Sequence, residues 1–256
     1  MNQNYELISR RSFLNLTGTG GMALVTAVMG SVFWNTQPAS ASLKRQAALQ
    51  PFGHPTAGGI AAGLDLLDPN AALKRLMDGN QRFVHQLGKH PDQSQARMKE
   101  VAEAQHPFAA LLSCADSRVA PEILFDEGIG DLFDIRVAGN IVTPEVLGSL
   151  EYAVDILSTP LIMVLGHERC GAVTAAVQGK HLSGHIGSFV KAIKPAISNI
   201  EGESDDLVDN AVIANVHYQI QKLKQNSNIL SQKLLYGKLK IVGGRYDLDT
   251  GEVTLI

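Results

Sequence analysis

The sequence predicts an α/β fold: a central, mainly parallel β-sheet flanked by helices, with an N-terminal helical arm. Two observations carry that prediction. Short continuous apolar runs recur at 108–113, 132–137, 161–165 and 239–244, and strands that are apolar throughout belong to parallel sheets covered on both faces. Helix-compatible stretches lie between them, at 144–157, 171–178, 186–200 and 207–225. Parallel strands need such crossovers, because only a long connection returns the chain to the same end of the sheet.

The elements follow in order. Asp68-Pro69-Asn70 is a helix start, with an acidic cap and a proline in the first turn. From 71 to 86, Leu73, Leu76, Met77, Phe83 and Val84 recur near helical spacing. A second helix is expected over 93–104, completing the arm. The four strands and their crossovers come next. Asp249-Thr250-Gly251 then turns the chain into a last strand, 252–256. Gly243-Gly244 is expected to permit close packing at a strand end, and Asp205-Asp206 to start a helix.

The chain has 256 residues, 45% of them hydrophobic and 18% charged, with a net charge of −3. That is a globular composition, with length for one domain plus appendages. It has no long basic run, so nucleic-acid binding and polybasic membrane binding lack an electrostatic footprint.

The first 41 residues read as an address. Arg10-Arg11 precedes Ser-Phe-Leu, a diluted apolar stretch runs from Leu14 to Trp34, and Ala39-Ser40-Ala41 offers a small-residue cleavage site. The arginine pair resembles a twin-arginine export signal. Residues 1–41 are therefore expected to be a signal peptide, recognised by export machinery, with the mature chain beginning near Ser42. A retained membrane anchor is the alternative. Residues 42–68, rich in Gly and Pro, are expected to form a linker or extended arm, and 69–256 the catalytic domain. The expected destination is the periplasm or the lumen of an internal membrane system.

Ligands of parallel sheets gather beyond the carboxyl ends of strands. Beyond the first strand stands Cys114-Ala-Asp116-Ser-Arg118, and beyond the third Gly166-His167-Glu-Arg-Cys170-Gly171. Cys114 and Cys170 are the chain's 2 cysteines. Two cysteines in an exported chain can also form a disulfide. Their placement at strand ends, with His167 three residues before Cys170, points instead to a Cys₂His metal site. Thiolate and imidazole ligands suit Zn²⁺, and three protein ligands leave a fourth position open, the catalytic pattern. Asp116 and Arg118 extend the site: Arg118 would keep Asp116 ionised, leaving it free to orient a metal-bound hydroxide. Released from Arg118, Asp116 could become a fourth ligand in a closed form. Spacing ties none of His85, His90, His106, His181, His185 or His217 to this site.

These segments resemble the beta-class carbonic anhydrases. Cys114-Ala-Asp-Ser-Arg118 is similar to that family's C-x-D-S-R motif, and His167-Glu-Arg-Cys170 to its H-x-x-C motif. Further matches are Gly79-Asn80-Gln81-Arg82-Phe83, Gly130-Asp131-Leu132-Phe133, Arg136-Val-Ala-Gly139-Asn140 and Gly148-Ser-Leu-Glu-Tyr152-Ala. The resemblance spans 69–256. It implies zinc-dependent, reversible hydration of carbon dioxide to bicarbonate and a proton by attack of zinc-bound hydroxide. It makes Cys114, His167 and Cys170 the zinc ligands, Asp116 and Arg118 the catalytic dyad, and Gln105 and Gly171 substrate-contacting positions. It also implies a homodimer or higher homo-oligomer with active sites at the subunit interface. Some members carry a tryptophan three residues before the first cysteine, part of an inhibitory bicarbonate site. Leu111 stands there, so an open site without that control is expected, although Arg136 matches the arginine of that site. Carbon disulfide or carbonyl sulfide hydrolysis on the same scaffold is an alternative, as is a non-catalytic exported zinc-binding module.

Overall fold

In a computed structural model of the chain, residues 67–179, 182–198, 200 and 207–256 are described. The signal segment, nearly all of the linker, His181 and Asp205-Asp206 lie outside them. Five strands form one sheet in the order β2-β1-β3-β4-β5. β1 (Ala109–Ser113), β2 (Leu132–Arg136), β3 (Leu161–His167) and β4 (Lys240–Tyr246) run parallel, and β5 (Val253–Leu255) lies antiparallel on β4. All five correspond to the runs expected from sequence. β1 and β3, the central pair, are buried at every position.

That order positions the site. The chain passes from β1 outward to β2, then crosses back over β1 to enter β3. The connections after β1 and β3 therefore leave in opposite directions and open a crevice between them. Ser113 pairs with Leu165 in the register of β1 and β3, so the residues that follow each strand emerge side by side.

Helices cover both faces. α1 (Pro69–Val84) starts where Asp68 accepts from the N–H groups of Asn70 and Ala71. It is no free arm, because Ala72 and Leu76 are fully buried in the chain's own core. α2 (Gln95–Val101), capped by Ser94, buries none of its side chains and is the arm-like part. α3 (Pro121–Leu124) follows β1, and α4 (Pro144–Asp155) starts at the Thr143 cap. α5 is Gly171–Gln178, α6 Gly187–Ile197, α7 Leu207–Asn226 and α8 Asn228–Leu235. α3 and α8 were not expected. α8 is separated from α7 only by Ser227, whose hydroxyl caps the new helix, and a single capping serine inside a polar stretch gives little sequence signal. The expected helix over 186–200 splits into a 3₁₀ turn, Gly184–Ile186, and α6.

Two motif residues far from the crevice are scaffold. A Cβ on Gly79 would lie 1.8 Å from the Phe125 carbonyl oxygen, so α1 crosses the end of α3 at a distance only glycine allows. Asn80 is fully buried. Its amide donates to the carbonyls of Leu124 and Gly251, and its oxygen accepts from Val253 N–H. One side chain thereby ties α1 to the end of α3 and to the β4–β5 hairpin. Gly243 permits the expected close packing, since a Cβ there would meet Val216 of α7 at 2.9 Å, but it lies inside β4 and not at its end.

Candidate metal centre

The crevice between β1 and β3 brings Cys114, His167 and Cys170 together. One donor atom from each lies within 4.8 Å of the other two, and all three residues are buried. Cys114 is the first residue beyond β1 and His167 the last of β3. Arg169, at φ +49°, takes the left-handed turn that brings Cys170 round as the N-cap of α5. The H-x-x-C spacing is thus read out as strand end, tight turn and helix start.

The two sulfurs stand 3.9 Å apart, far beyond the roughly 2.05 Å of a disulfide. Both cysteines are free. The separation is close to the edge of a tetrahedron with metal–sulfur bonds of about 2.3 Å, which is about 3.8 Å. His167 Nδ1 lies 2.8 Å from the Glu168 carbonyl oxygen. A carbonyl only accepts, so Nδ1 carries a proton and Nε2 is the nitrogen left to present a lone pair to a metal. That Nε2 is buried and has no hydrogen-bond partner. An orphaned imidazole lone pair beside two sulfurs is what a borderline-soft metal ion would satisfy.

The sulfurs are electrostatically unlike. The Cys170 thiol, hydrogen-bonded to Cys114, holds the Cys114 sulfur well below the usual thiol range, and the Gly139 N–H helps from 3.4 Å. The same contact, together with burial, pushes the Cys170 thiol up. A bound cation would favour the thiolate form of both.

Asp116 and Arg118 are paired as expected. Arg118 Nε and Nη2 donate to the two oxygens of Asp116 at 2.9 and 2.8 Å, and the Arg118 backbone N–H donates at 3.0 Å. The guanidinium holds the carboxyl well below its ordinary range. Asp116 also lies 3.9 Å from His167 Nε2. Arg136 donates to the carbonyls of Cys114 and Asp116 at 3.3 and 2.7 Å, so it is committed to the site loop. Leu111 is fully buried within β1. At Gly171 an added Cβ would meet nothing within 4 Å, so space opens beside the first turn of α5.

A single chain does not bring Gln105 to this place. Gln105 is exposed and precedes β1, at the opposite end of a five-residue strand from Cys114, about 17 Å of extended chain away. Among the described histidines other than His167, none belongs to the cluster of metal-ligand type. A second acidic group, Glu168, Asp247 and Asp249, is engaged by Arg245 and Arg169. Gly139 is the contact that sequence reasoning missed. It lay inside a matched segment with no role assigned, and its φ of +73° is a signal that sequence does not carry.

With this geometry in hand, the comparisons agree with one another. A family model described as "Carbonic anhydrase" matches residues 109–253. The chain is 42% identical over 194 residues to "Carbonic anhydrase 2" of Mycobacterium tuberculosis, covering 73% of this chain and 93% of the relative. It is 42% identical over 192 residues to a carbonic anhydrase of Mycolicibacterium smegmatis, with the same coverage of both. Among solved structures, a Coccomyxa beta-carbonic anhydrase in complex with acetazolamide is similar, with a TM-score of 0.59 and 28% identity over 72% of this chain and 86% of that one. Motifs, sheet order and similarity converge, and the chain belongs to the beta-class carbonic anhydrase family.

Proposed function

We propose that this chain catalyses the reversible hydration of carbon dioxide to bicarbonate and a proton, with a zinc ion held by Cys114, His167 and Cys170. The observation that carries the reading is the buried, unpartnered His167 Nε2 beside two sulfurs 3.9 Å apart. Bound there, zinc supplies the activation of water that hydration requires near neutral pH. Arg118 keeps Asp116 ionised and fixes both of its oxygens. Asp116 can therefore only accept a hydrogen bond, and it orients a reacting oxygen by taking its proton side. Ile141, Ala172 and Val173 pack around the two cysteines and limit the water that reaches the sulfurs. Gly171 leaves a small substrate room.

Two features support an open site without bicarbonate control: Asp116 is locked onto Arg118, and Arg136 is occupied by the carbonyls of Cys114 and Asp116. Homo-oligomerisation is part of the reading. Gln105 can serve a site only from a neighbouring subunit, and the edge strand β2 leaves Phe133 and Ile135 half-buried. Arg10-Arg11 and Ala39-Ser40-Ala41 support export by the twin-arginine route to a periplasm or lumen. An N-terminal sequence of the exported protein beginning near Ser42 tests it. No helix among the described residues is long and apolar enough to cross a membrane.

Stopped-flow measurement of carbon dioxide hydration on zinc-replete protein tests the activity, with Asp116→Ala and Cys170→Ser as controls. Zinc-loaded protein inactive from neutral to mildly alkaline pH would overturn it.

A further inference from the structure

α7 carries a polar ladder along its buried face. Asn215 is 1% exposed and Gln219 fully buried, and with Lys222 they stand at i, i+4 and i+7, on one side of the helix. Asn215 Nδ2 donates to the Gly139 carbonyl at 2.9 Å. Gln219 Nε2 donates to Asn215 Oδ1 at 2.9 Å. Val142 N–H donates to Gln219 Oε1 at 2.8 Å. Lys222 Nζ donates to the Val142 carbonyl at 2.7 Å. Both ends of the 139–142 turn are thus held by one helix face.

The far side of that turn meets the metal centre. Gly139 N–H donates to Cys114 Sγ at 3.4 Å. The same residue gives its carbonyl to Asn215 and its N–H to the sulfur. Any side chain there would be strained, since φ is +73° and a Cβ would stand 2.7 Å from Ile193 Cδ1. A buried polar helix face is costly unless every group is partnered. Here the partners are the backbone groups that fix Gly139.

We propose that Asn215 and Gln219 are positioning residues of the metal centre, holding Gly139 N–H on the Cys114 sulfur and thereby tempering how strongly that sulfur donates to a bound metal. The proposal rests on the metal reading given above. An N–H on a ligand sulfur withdraws electron density from it. Weakening that bond makes the sulfur a stronger donor and the metal a weaker Lewis acid.

The test uses the full-length protein loaded with cobalt(II), whose sulfur-to-metal charge-transfer absorption reports sulfur donation directly. Asn215→Leu removes both hydrogen bonds of Asn215. Gln219→Glu keeps the acceptor for Val142 and replaces the donor to Asn215 by a second carboxylate oxygen. Lys222→Met is the control, since it removes a rung that does not reach Gly139. The absorption should move to longer wavelength in both test variants, further in Asn215→Leu. In the zinc forms, the pH midpoint of kcat should rise. Lys222→Met should leave spectrum and midpoint unchanged. If Asn215→Leu does not fold, Gln219→Glu carries the comparison. Folded, cobalt-loaded test variants with the wild-type spectrum and midpoint would overturn the proposal, even with lower Tm. A wild-type protein that takes up neither cobalt nor zinc would instead overturn the metal reading itself.

Discussion

The carboxylate of Asp116 stands 3.9 Å from His167 Nε2, and Arg118 grips it with two hydrogen bonds of 2.9 and 2.8 Å. Asp116 therefore sits between two attachments: the guanidinium that holds it now and the cluster of ligand atoms within its reach. In the proposed reaction, the grip of Arg118 is what leaves Asp116 free to orient water.

Arg118→Ala removes the grip. kcat/KM for carbon dioxide hydration should fall about 10²-fold or more, the range for losing a positioned proton acceptor, while metal content stays near one zinc per chain. Asp116→Asn should fall similarly, because an amide presents a donor where only an acceptor serves. Stopped-flow rates with parallel metal analysis check both. Near-wild-type turnover in Arg118→Ala would remove the dyad from the mechanism.

Metal removal should cost stability as well as activity. A ligand at a hundredfold excess over its Kd stabilises the folded state by about 2.7 kcal/mol. For a domain of this size, chelation should then lower Tm by ~5 °C or more, and added zinc should restore it. Cys170→Ser should start near the chelated value and respond weakly to zinc. Thermal melts with and without chelator give the comparison.

Much of this site was legible in the sequence because it is built at the ends of strands. Apolar runs announce β1 and β3, and Cys114 and His167 fall where those runs stop. The pairing of Asp116 with Arg118 was legible because it is local, two residues apart. What was not legible is long-range. Asn215 reaches Gly139 across 76 positions, and Asn80 reaches Val253 across 173. No periodicity encodes either. Gln105 shows the converse: nine residues before Cys114, it precedes β1 and so lies at the other end of that strand within the chain, because an extended strand carries sequence neighbours apart.

Asp134 predicts a pH dependence of stability. Burial on β2, with Glu122 adding like charge, pushes its carboxyl up from 3.8 to about 8, and its Oδ1 has no partner. Below the ordinary carboxylate value the group is protonated in both folded and unfolded chains, and its stabilisation is fully present. As pH rises, the unfolded chain releases the proton while the folded one retains it, and the stabilisation drains away until the folded pKa is passed. Asp134→Asn has no proton to lose. Its urea midpoint relative to wild type should therefore rise from about pH 4 to about pH 8 and then level off. A difference that is flat across that range would exclude a buried, protonated Asp134.

Gly79 and Asn80 predict loss of fold without loss of chemistry. Gly79→Ala would force a methyl to within 1.8 Å of a backbone carbonyl oxygen, which neither helix can move aside cheaply. About 3 kcal/mol or more of destabilisation is expected, the upper range for overpacking. Asn80→Ala strands two buried carbonyls and one N–H, at about 1–3 kcal/mol for each group left unsatisfied. The partners of Asn80 are Leu124, Gly251 and Val253, and Gly79 abuts Phe125 and Arg82; none of these is a residue of the metal centre. Below their lowered melting temperatures, both variants should therefore keep wild-type kcat and zinc content. Denaturant titration and stopped-flow assays on the same preparations separate the two effects. A variant that melts normally but hydrates carbon dioxide slowly would mean that this motif reaches the site, not merely the scaffold under it.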